Sequence, residues 1–179
     1  MSRSTMLRAL LLLGSPAVVA SLLASAPAPE RIPVSGVFSM KYTQQQALPV
    51  SDAAGPVLLL NQSSGTNRNT GRTDYMPGGQ VINREIAELT RGNGPHQGYI
   101  TEIQGADTSV ARYEGHVITT LGPDQKPATR FEGKWTKVSG TGKYEGVAGS
   151  GTYAGRMLSP TEYTVEWSGE IVLNRTASR

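Results

Sequence analysis

From Val34 to Leu173 the chain alternates apolar and polar residues with a period of two, broken mainly at clusters of Gly, Pro, Asn, Asp and Ser. An extended strand sends successive side chains to opposite faces, so this period describes strands with one buried and one wetted face. Val34 to Tyr42 sets Val34, Phe38, Met40 and Tyr42 against Ser35, Ser39 and Lys41. Further strands are predicted over Val57 to Asn61, Gln80 to Leu89, Gln97 to Gln104, Ser109 to Thr120, Ala128 to Val138, Gly149 to Leu158 and Thr161 to Leu173, eight in all. Gly92 to Pro95, Gly105 to Asp107, Gly122 to Asp124 and Ser159-Pro160 separate them with turn chemistry. Only Val81 to Leu89, with Glu85, Ala87 and Glu88, is open to a helical reading, and its Gly-rich flanks favour a strand.

The last strand is the clearest. Tyr163, Val165, Trp167, Ile171 and Leu173 share one face, and Glu162, Thr164, Glu166, Ser168 and Glu170 the other. Phe131 and Trp135 oppose Arg130, Glu132 and Lys134 in the same way, and Tyr113 and Val117 oppose Arg112, Glu114 and His116. An antiparallel sheet with one apolar face must pack on a second sheet or close on itself. Closure is favoured by a repeated phrase, Arg112-Tyr-Glu-Gly115, Arg130-Phe-Glu-Gly133 and Lys143-Tyr-Glu-Gly146. Gly within a strand marks a bend, or a place where a ring covers bare backbone, and both curve sheets.

The segment Val138-Ser-Gly-Thr-Gly-Lys-Tyr-Glu-Gly-Val-Ala-Gly-Ser-Gly-Thr-Tyr153 resembles the G-G-T-G-x-[FY]-x-x-[AV]-x-G signature of dirigent proteins and the allene oxide cyclase-like barrels. The resemblance covers the C-terminal half, from about Gln97, more closely than the N-terminal half. It implies an all-β fold, an eight-stranded antiparallel β-barrel of calycin or allene oxide cyclase-like type, with a ligand-binding lumen and a dimeric or trimeric assembly. No catalytic residue is carried over from it, because the motif does not align the cyclases' active-site residues with positions here. In such barrels the motif is structural, with Gly140 and Gly142 allowing a tight connection and Gly149 and Gly151 a bent strand. It is not a phosphate loop, since Tyr144 follows Gly142-Lys143 where Ser or Thr is required and Lys137 stands where the first Gly should be.

The N-terminus reads as an export signal. Arg3 and Arg8 precede the apolar run Ala9 to Leu23, and Ala24, Ser25 and Ala26 follow. Cleavage after Ala26 places Pro27 at the new terminus, and a cut after Ala20 is the rival. The run is interrupted by Gly14, Ser15 and Pro16 and is shorter than the roughly 20 residues a membrane span needs. The expected organisation is a leader over 1–26, a disordered Pro-rich lead-in over 27–33 and one barrel domain over 34–179, in a secreted or periplasmic protein with no membrane association after cleavage. Removing the leader leaves 15 of the 17 Lys and Arg residues against 14 acids, too balanced for nucleic-acid binding. With no cysteine there are no thiol nucleophiles, disulfides or thiolate metal sites, and no cofactor or metal is expected.

In a closed barrel Phe38, Tyr113, Phe131, Trp135, Tyr153, Tyr163 and Trp167 would face inward and suit a small apolar or aromatic ligand. The same rings would equally fill an eight-stranded barrel, which is only just wide enough for its own side chains. Two strands are ambiguous: either Arg84 or Glu85 points inward, and Tyr99 with Ile103 competes for the lumen with Ile100 and Glu102. An inward Glu85 would suit a general base and an inward Arg84 an anion anchor. His96, in the Gly-Asn-Gly-Pro-His turn, and His116 read as solvated, and no Ser-His-Asp arrangement emerges. Glu162 and Glu166 lie on a wet face, which does not suit glycoside cleavage. Asn61 to Gly79, with Arg68, Arg72 and Asp74, reads as a long polar connection able to gate a barrel mouth. Asn61-Gln-Ser and Asn174-Arg-Thr are glycosylation sequons.

Two functions fit. One is an exported, cofactor-free barrel holding a small apolar or aromatic molecule, with cyclase-, isomerase- or dirigent-like action by confinement. The other is a non-enzymatic structural or interaction protein with a filled barrel and an oligomeric outer surface. A lumen of roughly 300 Å³ or more favours the first and a filled interior the second.

Overall fold

The computed structural model describes residues 30–51, 55–71, 75–122 and 124–173. The leader over 1–26, Arg72 and Asp74 of the polar connection, and the Asn174 sequon lie outside these residues. Eight strands run β1 (Ile32–Pro49), β2 (Pro56–Asn69), β3 (Gln80–Thr90), β4 (Gly94–Gln104), β5 (Asp107–Leu121), β6 (Pro127–Thr141), β7 (Ala148–Met157) and β8 (Glu162–Val172). Each pairs antiparallel with the next, and β1 pairs with β8 from Ile32 opposite Ile171 to Lys41 opposite Glu162, so the sheet is a closed barrel rather than a sandwich.

The strands follow the alternation, with two instructive departures. β1 begins at Ile32, so Ile32 and Pro33 belong to the barrel and not to a disordered lead-in. Pro33 is tolerated because at that height β1 pairs only with β8, its ladder to β2 starting at Gly36. The larger departure is β2, which continues eight residues beyond Asn61 and takes over half of the connection expected from Asn61 to Gly79. Its inward positions there are Asn61, Ser63 and Asn67, all buried, so the period persists while its apolar signal disappears. Asn61 is therefore a lumen residue and not an available glycosylation site.

One barrel end is plugged. The β2–β3 connection turns Tyr75 and Met76 inward, and a 3-10 turn at Gly142–Tyr144 brings up Tyr144, with Val147 beside it; all four are buried. Met76 has a positive φ of 46°, held by hydrogen bonds from its N–H to the Tyr144 hydroxyl (3.1 Å) and from Asn67 Nδ2 to its carbonyl (3.0 Å). The third copy of the repeated phrase lies in this plug instead of a strand, whereas Tyr113 and Phe131 of the first two face the lumen. At the opposite end the β1–β2 hairpin runs past the barrel wall. An extra residue, Thr43, shifts the β1 register between Tyr42 and Gln44 and turns Leu48 outward beside Leu58.

Rings do cover bare backbone. Trp135 spans Gly151 and Gly169, where an added Cβ would lie 2.5 Å from its Cζ2 at either glycine, and Trp167 covers Gly36 at 2.6 Å. The β6–β7–β8 wall can curve this tightly because no side chain separates indole from main chain. Gly151→Ala would drive a methyl into both Trp135 and the Ser168 carbonyl. It is expected to destabilise the barrel by about 3 kcal/mol, read as a lower urea midpoint; an unchanged midpoint would show the ring is not seated there.

Candidate functional site

The inward residues build two polar clusters along the barrel axis. Toward the end of the long hairpin, Glu85 of β3 is a hub. Its Oε2 accepts from the Tyr113 hydroxyl (3.1 Å) and faces His96 Nδ1 at 3.2 Å, and its Oε1 accepts from Asn61 Nδ2 (3.0 Å). His96 Nε2 lies 2.9 Å from the Tyr153 hydroxyl. When Nδ1 donates to Glu85, Nε2 is the acceptor for the Tyr153 proton, which completes a Tyr–His–Glu relay across β7, β4 and β3. Asn83 extends the network, accepting from Tyr113 (3.0 Å) and donating to Tyr163 (3.1 Å), and Tyr163 in turn bonds Ser63 at 2.5 Å.

The second cluster lies toward the plug. Lys137 Nζ donates to Glu102 Oε2 (2.9 Å) and to the Tyr75 hydroxyl, with side-chain exposures of only 4% for the lysine and 2% for the glutamate. Tyr75 also bonds Glu102 Oε2 (2.6 Å) and Ser109 Oγ (2.8 Å). The ammonium sits over the Trp135 ring, 5.4 Å from its centroid, and at the hydroxyl edge of Tyr75.

Between the clusters is a cavity of about 60 Å³ walled by Phe38, Ile100, Ala111, Trp135, Val165 and Trp167, with Glu85, His96, Glu102, Lys137 and Tyr153 among its polar lining. It is well short of the volume that would hold a drug-sized ligand. The interior is largely filled, with room for a few waters or a fragment of few heavy atoms. Two of the residues that line it carry a fully buried group without a partner, Glu102 Oε1 and the Trp167 indole N–H. Among the described residues, no three His, Asp or Glu side chains converge as a metal ion requires.

Burial sets the acid–base character of the tyrosines. It raises the Tyr163 phenol to about 12, against the opposing hydrogen bonds of Ser63 and Asn83. It holds Tyr42, Tyr113 and Tyr153 well above the ordinary phenol value, with the Glu85 charge adding to the effect. Burial does the same to Tyr75, reinforced by Glu102. These phenols are donors, not phenolates, at neutral pH.

Of the expected lumen residues, Phe38, Glu85, Tyr113, Phe131, Trp135, Tyr153, Tyr163 and Trp167 face inward. Arg84 and Tyr99 do not: they stand opposite each other on the outer face of β3 and β4, Tyr99 at 49% exposure. Glu102 takes the inward place for which Tyr99 competed, and His96 is buried rather than solvated. The missed signal was the hairpin. Arg91 and Gly92 both have positive φ, a tight two-residue turn that pairs Thr90 with Asn93 and so sets Ala87 opposite His96 and Val81 opposite Glu102. Apolar Val81 and Ala87 thus mark the inward face of β4. Asn83 and Lys137 share the inward parity of Val81 and of Trp135 but read as surface polar groups, and Tyr75, in a connection, carries no mark. On the outside, Leu48, Leu58, Leu60 and Ile86 form an exposed apolar strip across β1, β2 and β3.

No protein-family model matches the chain, and no curated protein does. Among solved structures it is similar to a pterocarpan synthase dirigent protein, with 12% identity, 80% of this chain and 96% of that chain covered, and a TM-score of 0.45.

Proposed function

We propose that this is an exported barrel that binds a small apolar or aromatic molecule bearing a polar group in its lumen, with Tyr153, His96 and Glu85 as a proton relay for cyclase- or isomerase-like, dirigent-like action. One observation carries the reading: the relay is centred on a buried histidine, hydrogen-bonded through from half-buried Tyr153 to Glu85, and lines the cavity. A barrel kept only for its shape is more stably filled with aliphatic side chains, since buried carboxylates, amides and imidazoles cost solvation that their partners only partly return. Polarity retained at such a cost belongs at sites of function. In this arrangement the Tyr153 oxygen takes a proton from the bound molecule as its own hydroxyl proton passes to His96 Nε2, Glu85 stabilises the imidazolium, and the protons return along the same path to the product. A ligand larger than a few heavy atoms enters by displacing half-buried Phe131 and Tyr153.

The chain's two tryptophans, Trp135 and Trp167, both line the cavity, so their emission reports on it. Titration with phenol is expected to shift that emission saturably. Filling the space by Ala111→Leu, or separately Ile100→Phe, should weaken the response about tenfold or more in variants that keep the wild-type far-UV spectrum. A linear, non-saturating response in the wild type would sink the proposal. The second reading, a filled barrel acting through its outer surface, is favoured by the small cavity and the Leu48–Leu58–Leu60–Ile86 strip. Native mass spectrometry separates the two, an oligomer free of small molecules supporting the second.

A further inference from the structure

We infer that Lys137 is a nucleophilic amine and that the plugged half of the lumen forms an imine with a small aldehyde or ketone. The inference shares with the proposed function only the need for a ligand to enter the cavity; it does not use the Glu85 relay. Lys137 is one of five lysines, and its side chain is buried, ending at a cavity wall. An ion pair kept only to fill space would have every lone pair and proton matched. Here Glu102 Oε2 accepts from both Lys137 and Tyr75, while Glu102 Oε1 has no partner. An amine held against a carboxylate that has an unused oxygen has beside it the proton acceptor that a carbonyl addition requires.

The chemistry closes on these residues. Lys137 passes one proton along the 2.9 Å bond to Glu102, which frees the nitrogen lone pair. That pair attacks the carbonyl carbon, forming C–N as the carbonyl π electrons move onto oxygen. The oxygen takes the proton held by Glu102, and the nitrogen, now positively charged, gives one of its own protons back to that carboxylate, leaving a neutral carbinolamine. Glu102 then passes this proton to the same oxygen, the C–O bond breaks as water leaves, and the nitrogen pair forms C=N. The net change is one carbonyl compound and one amine to one imine and one water, with no oxidant or reductant. When protonated, the imine stays paired with the Glu102 carboxylate. The face of Trp135 suits either cation, and a cavity of about 60 Å³ limits the carbonyl compound to a few heavy atoms.

The test uses the full chain, propanal and borohydride, which reduces any imine to a stable secondary amine, followed by peptide mass mapping. Lys137 is expected to be alkylated about tenfold faster than the mean of Lys41, Lys126, Lys134 and Lys143, although it is the buried one. Ala111→Leu should slow labelling at Lys137 and leave the other four unchanged. Labelling of those four with Lys137 untouched would overturn the inference. If phenol still shifts tryptophan emission in that case, lumen binding stands and only the imine fails; if neither signal appears, both fail. Lys137→Met combined with Glu102→Gln, which leaves no unpaired buried charge, should bind phenol and trap no propanal in the lumen.

Discussion

Between pH 10 and 12 the barrel is expected to unfold in one cooperative step. An unfolded tyrosine ionises near pH 10, whereas burial raises Tyr163 to about 12 and also holds Tyr75 and Tyr113 well above the ordinary phenol value. The folded state therefore keeps protons that the unfolded state releases. The resulting stability is complete below pH 10 and falls as pH climbs toward the folded values, by about 1.4 kcal/mol per pH unit for each phenol. Three such groups remove about 4 kcal/mol per unit, so a domain of ordinary stability, about 5–15 kcal/mol, is exhausted within a few units. Phenolate absorbance from the buried set should rise in step with loss of the strand signal in far-UV dichroism. Ionisation of Tyr75, Tyr113 and Tyr163 near pH 10 with the dichroism unchanged would refute the burial argument.

The second large effect concerns the Lys137–Glu102 pair. Lys137→Met strands a carboxylate at 2% exposure with no cation beside it, and about 3–5 kcal/mol of stability should be lost. Adding Glu102→Leu to that variant removes the stranded charge. It should restore most of the loss, because two charges taken out of water together contribute little net stability. Urea unfolding followed by tryptophan emission measures both. Additive losses in the double variant would mean the two side chains act independently, against their 2.9 Å contact.

The sequence carries the frame more fully than the site for a physical reason. β1, β6 and β8 were legible because their inward residues are apolar or aromatic, and a period of two in hydrophobicity is then the period of the strand. In β2 the inward residues are Asn61, Ser63 and Asn67, so hydrophobicity stops reporting direction at the point where the lumen becomes polar. The same inversion hid His96 and Glu102 while promoting Arg84 and Tyr99. A chain that gathers polar groups inside itself is least readable where its chemistry lies. Lys137 illustrates this: it shares its face with Phe131 and Trp135, three steps and one step of the alternation away, yet reads as a surface charge until closure gives it Glu102.

Closure by β1 and β8 also has a consequence during synthesis. Every other pairing joins neighbours in the chain and can form as a hairpin while the polypeptide emerges, but the seam from Ile32 opposite Ile171 to Lys41 opposite Glu162 waits for the final strand. Until then the nascent chain is an open ribbon whose two unpaired margins offer free amide and carbonyl groups to any other unfinished copy. A ribosome stalled before Glu162, or a protease cut in β8, would release a molecule with nearly all of its sheet and none of its protection against self-association.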